Sequence, residues 1–344
     1  MIAVVVVNYR QTTATLTCLE SLYAHAGMGF HLFLVDNAAD AESRLAMTDF
    51  LAGDPRRAGT FTLLSNQENR GFSGGCNQAL DLVLADARFR AVALLNNDCL
   101  VEPHWLVRLT EGLAPDRMVE MVASRMMNLN HPGDVDNLGI TLYRSGIASN
   151  RKDADNPLLG PCGGGALYST GLLNALGSID GYIFDPDFFC YAEDTDLALR
   201  ARALGYDCAF ADDAVLLHFG SLATGGASNT FVAYYGLRNS LFAMIKNLPA
   251  DFLGRNIGWI MLMQGAVTAK YIIKGHPRVI WNVYRDLLRA MPRLLAQRRH
   301  HQARAVWACG AWRAWTCLRF YDPAYIFQDL RTLHRRDLRS SPGN

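Results

Sequence analysis

Four short apolar runs punctuate the first hundred residues: AVVVV at 3–7, HLFLVD at 31–36, FTLLS at 61–65 and AVALLNN at 91–97. Amphipathic stretches of helical period lie between them. TTATLTCLESLYAH sets Leu16, Leu19, Leu22 and Tyr23 on one face, and SGGCNQALDLVLADA reads as a second helix. Continuous Val/Leu strands separated by helices predict a doubly wound α/β arrangement, a mostly parallel sheet covered on both faces. Ligands bind such sheets beyond the carboxyl ends of the strands. The polar residues that close each run are therefore the first candidates. They are Asn8-Tyr9-Arg10, Asp36-Asn37, Asn66 leading into ENRGFSGG, and Asn96-Asn97-Asp98. Asn and Asp also favour ordinary turns. Four such strand ends in succession on one edge point instead to a nucleotide site.

Two common nucleotide folds fit poorly. No glycine follows the first strand in VVNYRQTT, where a dinucleotide fold places GxGxxG, and GFSGG lacks the Lys-Ser/Thr of a P-loop. A second glycine-rich segment, GPCGGGALYS at 160–169, allows close backbone approach to a ligand, or is a loop crossing the sheet edge. FFCYAEDTDLALR at 188–200 gathers Glu193, Asp194 and Asp196 where a helix begins; Leu197, Ala201 and Leu204 then repeat at helical spacing up to Gly205. Carboxylates in a first turn cap free N–H groups and suit the helix dipole. They also suit proton-transfer chemistry, and the stretch alone leaves both open.

Charge divides the chain. Residues 1–229 hold 15 basic and 27 acidic side chains, and residues 230–344 hold 18 and 5. The boundary predicts one domain over 1–229, separated by the glycine-rich TGGAS (224–228) from a basic helical extension over 230–344. RVIWNVYRDLLRAMPRLLAQRR (278–299) sets Val279, Ile280, Val283, Tyr284, Leu287, Leu288, Met291, Leu294 and Leu295 opposite Arg278, Arg285, Arg289 and Arg293. Pro292 is expected to kink or interrupt it. This is the pattern of a helix lying on a membrane surface, or of one packed on the core with its arginines in water. The apolar NIGWIMLMQGAVTA (256–269) is shorter than the roughly 20 residues that span a bilayer. An anionic membrane surface is the expected polyanionic partner; no nucleic-acid-binding signature is found. Eight scattered cysteines without CxxC pairs fit reduced thiols and a cytoplasmic setting, and the opening reads as a buried strand, not a leader.

Taken in order, VVVVNYR, VDNA, ENRGFSGGCNQAL, LLNNDCLVEPHWL, GGGALYS, IDGYIFDPDFFCYAEDTDLALRARALGY and LLHFGS resemble the family 2 glycosyltransferases of GT-A fold, over roughly residues 1–240. The set is most similar to the bacterial rhamnosyltransferase-like branch, which YYGLRNS also fits. The resemblance implies inverting transfer of a sugar from a nucleotide diphosphate sugar to an acceptor hydroxyl. By position, Tyr9 would stack on the base and Asp36 would bond its edge. Arg70, Gly71 and Asn77 would line the phosphate pocket, and Asn8, Arg10, Asn69, Gly74, Asn96, Asn97 and Gly164 would complete it. Asn96-Asn97-Asp98 stands at the family's DxD metal motif with only Asp98 acidic, and His218 matches a downstream metal-binding histidine, so Asp98 and His218 would hold Mg²⁺ or Mn²⁺. Glu193-Asp194 matches the family's ED pair, with Asp194 the base.

Elementary chemistry agrees with those roles. Attack by a hydroxyl needs a carboxylate to take its proton, a contribution of about 10²–10⁴-fold, and a hard divalent ion suits the leaving diphosphate. Branch resemblance suggests rhamnose from dTDP-rhamnose, with UDP-sugars open. A surface-binding tail suggests a polyprenyl-linked glycan acceptor and a peripheral position on the cytoplasmic face of the membrane. A sugar-1-phosphate nucleotidyltransferase and a non-catalytic, membrane-attached nucleotide-sugar-binding protein remain as alternatives; the weakened metal motif favours the latter.

Overall fold

The computed structural model describes residues 1–38, 40–220 and 229–322. The TGGAS segment and the last 22 residues lie outside them. The four apolar runs form strands β1 (Ile2–Asn8), β2 (Phe30–Asp36), β3 (Phe61–Ser65) and β4 (Ala91–Leu95). Helices α1 (Thr12–His25), α2 (Ala41–Ala52) and α3 (Gly71–Leu84) connect them. All four strands are parallel, in the order β3-β2-β1-β4. Asn96 and Asn97, expected at the end of the fourth strand, fall in the turn beyond it.

The sheet then continues with mixed direction. β5 (Cys99–Val101), helix α4 (Trp105–Glu111), the hairpin of β6 (Val119–Asn128) and β7 (His131–Asn137), β8 (Ile140–Tyr143) and β9 (Ala148–Asn150) follow in the chain. After them come β10 (Gly165–Ser169), helices α5 (Thr170–Asp180) and α6 (Glu193–Ala203), and β11 (Asp207–His218). β10 inserts antiparallel between β4 and β6; β11 lies parallel to β6 and antiparallel to β5, completing the order β4-β10-β6-β11-β5. Strand periodicity explains why both faces are apolar. Ala3 and Val5 pack into a core under α3, α5 and α6, while Ile2, Val4 and Val6 pack into a second core under α1, α2 and α4. The architecture is a GT-A-like α/β fold followed by a helical region.

That region comprises α7 (Thr230–Asn247), α8 (Ala250–Ile273) and α9 (Pro277–Gln302), after which β12 (Thr316–Cys317) joins β8 and β9 in a small second sheet. Two expectations for α9 change. The helix runs unbroken through Pro292; packing of Val279, Val283, Leu287 and Leu294 on the core holds it on both sides of the missing N–H. The apolar stripe is also wider than its neighbour can cover, so Leu288 and Leu295 stay exposed. Among the described residues no helix is long and apolar enough to cross a membrane.

Buried charges tie α7 and α9 to the rest of the fold. Asp196 on α6 has no solvent exposure. It accepts from Arg200 Nε at 2.9 Å, from Asn247 Nδ2 at 2.7 Å and from Lys246 Nζ at 2.8 Å. Lys246, equally buried, reaches Asp185 at 2.7 Å, and Arg200 reaches Asp180 at 3.0 Å. His301 closes the circuit from α9, 3.1 Å from Asp180 and 2.8 Å from Asn247 Oδ1. Burial alone would raise the Asp196 carboxyl, but Lys246 and Arg200 outweigh it and hold the group at about 2.

Removing one partner leaves a charge buried and unpaired, so Lys246→Met is expected to destabilise the fold by about 3–5 kcal/mol in urea denaturation, against no shift if the network is dispensable. The depressed Asp196 value also fixes a sign. Its stabilisation is complete above the ordinary 3.8 and is lost as pH falls toward 2. Acid titration of stability through that window is expected to show a proton uptake that Asp196→Asn removes.

Candidate active site

Strand direction decides which residues meet. Asn8, Asp36 and Leu95 end parallel neighbours, so their polar successors share one edge of the sheet. β10 runs the other way and pairs Gly165 with Leu95, which brings Gly163 and Gly164 to that edge as the strand begins. Asn96 N–H donates to Gly164 O at 3.0 Å, and a Cβ on Gly164 would stand 2.8 Å from Asn96 Nδ2, so a larger residue would displace that amide. β5 and β11 pair Cys99 with His218, and this pairing carries Asp98 beside the imidazole.

Along the edge, several expected ligand residues serve as framework. Asn97 Nδ2 donates to Thr15 Oγ1 (2.9 Å), which donates to Asn8 Oδ1 (2.9 Å), and Asn8 Nδ2 donates to Asp36 Oδ1 (3.0 Å). Asn8 also donates to Ser43 and accepts from Gln11 N–H, so its amide is fully engaged inside the protein. Asn77 likewise clamps the backbone of Phe184, donating to its carbonyl at 2.7 Å and accepting its N–H at 2.9 Å. Asn8, Asn77 and Asn97, expected in the donor pocket, make these amide bonds to partners within the chain. Asp36 keeps its second oxygen for other partners, and Tyr9, Arg10, Asn69, Arg70, Gly74 and Asn96 retain exposed surface at the edge.

Arg70 precedes the first turn of α3, whose leading residue Gly71 has φ +70°. A side chain at 71 would be strained and would collide with the Phe189 carbonyl and ring. Asn69 Oδ1 accepts Gly71 N–H at 2.9 Å, and Asn37 Nδ2 donates to Gly71 O at 2.9 Å while Asn37 Oδ1 accepts from Asn66 at 2.8 Å. The ends of β2 and β3 thereby fix the start of α3.

Asp98 and His218 form a compact pair. His218 Nε2 lies 3.2 Å from Asp98 Oδ1, and Nδ1 lies 2.7 Å from Asp136 Oδ2. Burial alone would lower the imidazole, but the bonds and charges of Asp136 and Asp98 outweigh it and raise the group to about 9. Asp136 shows the converse: burial would raise it, and His218 holds it below the usual carboxylate range. A buried nitrogen and a carboxylate oxygen thus converge where positive charge is favoured, which fits a divalent cation with open positions for a ligand's oxygens. Cys99 Sγ lies within 4.8 Å of the same atoms. A soft thiol suits Mg²⁺ or Mn²⁺ less well than the oxygen and imidazole ligands beside it. Asp136 went unnoticed in the sequence, since only the β6–β7 hairpin brings it to His218 and no spacing announces it.

The acidic stretch does not cap its helix in the usual way. The N-cap of α6 is Ala192, without a side-chain cap bond. Asp194 accepts from Gly163 N–H at 3.0 Å through Oδ2 and from Thr195 N–H at 2.6 Å through Oδ1. The two carboxyls are unlike. Burial and the Asp194 charge push Glu193 up to about 8, and its Oε2 is buried with no partner. Burial also raises Asp194, but the Gly163 and Thr195 N–H groups pull it back. Burial thus acts on both carboxyls, while the Gly163 and Thr195 N–H groups favour the ionised form at Asp194, which is only partly buried.

The chain reaches Glu193 through a strained segment. Phe189, Tyr191 and Ala192 all have positive φ (63°, 69° and 62°). Phe189, with ψ −62° and a Cys190 N–H to Phe188 O bond of 2.7 Å, is the centre of a γ-turn. Such residues cost about 1–3 kcal/mol each and persist only when their surroundings impose them. Here α7 does so: Asn239 Nδ2 lies 2.8 Å from the carbonyls of Phe188, Cys190 and Tyr191, and Arg238 donates to Asp187 O at 2.7 Å.

Solved structures of similar fold include the mannosyltransferase PcManGT from Pyrobaculum calidifontis in complex with GDP-Man and Mn²⁺ (TM-score 0.54, 16% identity, covering 88% of this chain and 85% of that one). S. aureus TarS (0.56, 16%, 88% and 53%) and GalNAc-T7 with UDP, GalNAc and Mn²⁺ (0.55, 13%, 78% and 51%) are also similar, and this chain matches about half the length of each. At these identities the likeness shows the fold alone. No curated protein matches the chain. The model of glycosyltransferase-like family 2 matches residues 1–246. With most of its length matched, the chain belongs to that family and is a glycosyltransferase using a nucleotide-sugar donor.

Proposed function

We propose that the protein is an inverting glycosyltransferase in which Asp194 is the general base. Family membership sets aside both the nucleotidyltransferase and the non-catalytic alternatives. The observation that carries the proposal is the contrast within the acidic pair: partly buried Asp194 accepts from the Gly163 and Thr195 N–H groups, whereas Glu193 is buried with its Oε2 unpartnered among the described residues. As the acceptor oxygen bonds to the anomeric carbon, Asp194 takes the hydroxyl proton and the bond to the nucleoside diphosphate breaks. Tyr9 and Asp36 hold the base, and Arg10, Arg70 and the start of α3 receive the phosphates. Asp98 and His218 would hold Mg²⁺ or Mn²⁺, whose charge neutralises the leaving diphosphate. The Mn²⁺ in PcManGT and GalNAc-T7 supports a metal of this class.

By branch resemblance the donor is dTDP-rhamnose; GDP-Man in PcManGT and UDP in GalNAc-T7 show that donors differ among similar folds. The acceptor is a lipid-linked glycan, met at the cytoplasmic face of the membrane, to which the basic region over 230–344 binds peripherally.

Asp194→Asn is expected to keep nucleotide binding in calorimetry and to lose transfer by about 10²–10⁴-fold. Near-normal turnover would remove Asp194 from the role. Asp136→Asn is expected to weaken Mn²⁺ binding about 10–100-fold by releasing His218 from its orienting carboxylate. Unchanged affinity in electron paramagnetic resonance titration would separate Asp136 from the metal.

A further inference from the structure

The outward face of the α8–α9 pair is apolar and, among the described residues, uncovered. Ile273 is 71% exposed, Trp281 and Leu288 70%, and Met261 64%, with Leu262 and Ile272 also exposed. On α8 the exposed positions recur at helical spacing; beyond Arg255 they hold Gly258, Gly265 and Ala269 between the large residues, without a charge up to Ile273. Cβ atoms built on Gly258 and Gly265 meet nothing within 4 Å. The stripes of the two helices adjoin. Tyr284 Oη lies 3.1 Å from Thr268 Oγ1 and 3.4 Å from Gln264 Oε1. Trp281 and Leu288 stand one turn to either side of Tyr284, and Met261 and Ile272 one turn beyond Gln264 and Thr268. A continuous apolar patch of this kind marks an interaction surface.

Charge selects the partner. Residues 250–302 carry nine basic and two acidic side chains. Both acids are occupied, Asp251 by Trp312 Nε1 and Gly310 N–H at 2.8 Å, Asp286 by Tyr234 at 2.6 Å and Arg285 at 2.8 Å. Arg278, Trp281, Arg285 and Leu288 follow one another at three- and four-residue steps, so basic and apolar groups alternate along a single stripe. That interleaving suits a headgroup boundary, where apolar side chains insert and long cations reach phosphates. A symmetric pairing with a second copy would set these cations against each other. We propose that the α8–α9 face docks on an anionic lipid bilayer, lying in its surface without crossing it. The proposal rests on the lipid-linked acceptor above and gives that reading a docking surface. Arg293 on α9 pairs with Asp187 just ahead of the acidic pair, which places the docked helix beside that segment.

Sedimentation of the full chain with phosphatidylcholine vesicles, with and without phosphatidylglycerol, tests it, comparing wild type with Met261→Glu/Leu262→Glu and Trp281→Ala/Leu288→Ser. Binding is expected to need the anionic lipid, to weaken with salt, and to fall at least about tenfold in each variant. Unchanged melting temperatures would show that the variants fold. No vesicle binding by the wild type, binding unaltered in the variants, or a wild-type dimer that the variants dissociate would overturn the proposal. Nucleotide binding, read in parallel by calorimetry, separates the two claims: vesicle binding without any nucleotide binding would sink the transferase site and leave the docking surface standing.

Discussion

Asp196 carries a full negative charge at a position with no solvent exposure, and much of the molecule is arranged around satisfying it. A buried carboxylate is tolerated only with several well-placed partners. Here they come from α6 itself, in Arg200, and from α7, in Lys246 and Asn247. Arg200 and Lys246 in turn engage Asp180 and Asp185, which flank the loop leading to the acidic pair. His301 brings in α9. The helical region is thus held to the catalytic sheet by directional bonds as well as by apolar packing.

The consequence for chemistry lies two residues away. Asp196 fixes the first turn of α6 while Asn239 and Arg238 hold the γ-turn and the left-handed residues before it. Strain in that segment is sustained by bonds from α7, and its result is that Asp194 meets Gly163 N–H with its other oxygen on Thr195. The proposed base is positioned from both sides by groups that touch no substrate. Burial raises Glu193 next to it, whereas Lys246 and Arg200 hold Asp196 low: each carboxyl's state follows from the partners it was given.

Much of this was legible in the sequence. The uninterrupted apolar runs announced the parallel strands, and the polar residues after them marked the edge, since strand direction alone brings those ends together. Asp98 and His218 were found through motif order, and the structure joins them through the β5–β11 pairing. Contacts made by folding at long range were not legible. Asp136 has no spacing relation to His218, and the engagement of Asn8, Asn77 and Asn97 inside the protein depends on partners from other elements. Local propensity likewise predicted a kink or interruption at Pro292, and the helix runs through it without interruption. In the acidic turn, Asp196 suited a cap or a contact to basic groups, and it is an ion-pair centre; Asp194 bonds a glycine in the turn before β10, which local sequence does not announce.

The central claim is that the strand-end edge binds a nucleoside diphosphate through a metal held by Asp98 and His218. Thermal melting with UDP, dTDP, GDP and CDP, each with and without Mn²⁺, on wild type and Asp98→Ala tests it without knowledge of the acceptor. The account predicts selective stabilisation by one diphosphate, enhanced by Mn²⁺ in the wild type and largely lost in the variant. Absence of stabilisation by any nucleotide under any condition would contradict it.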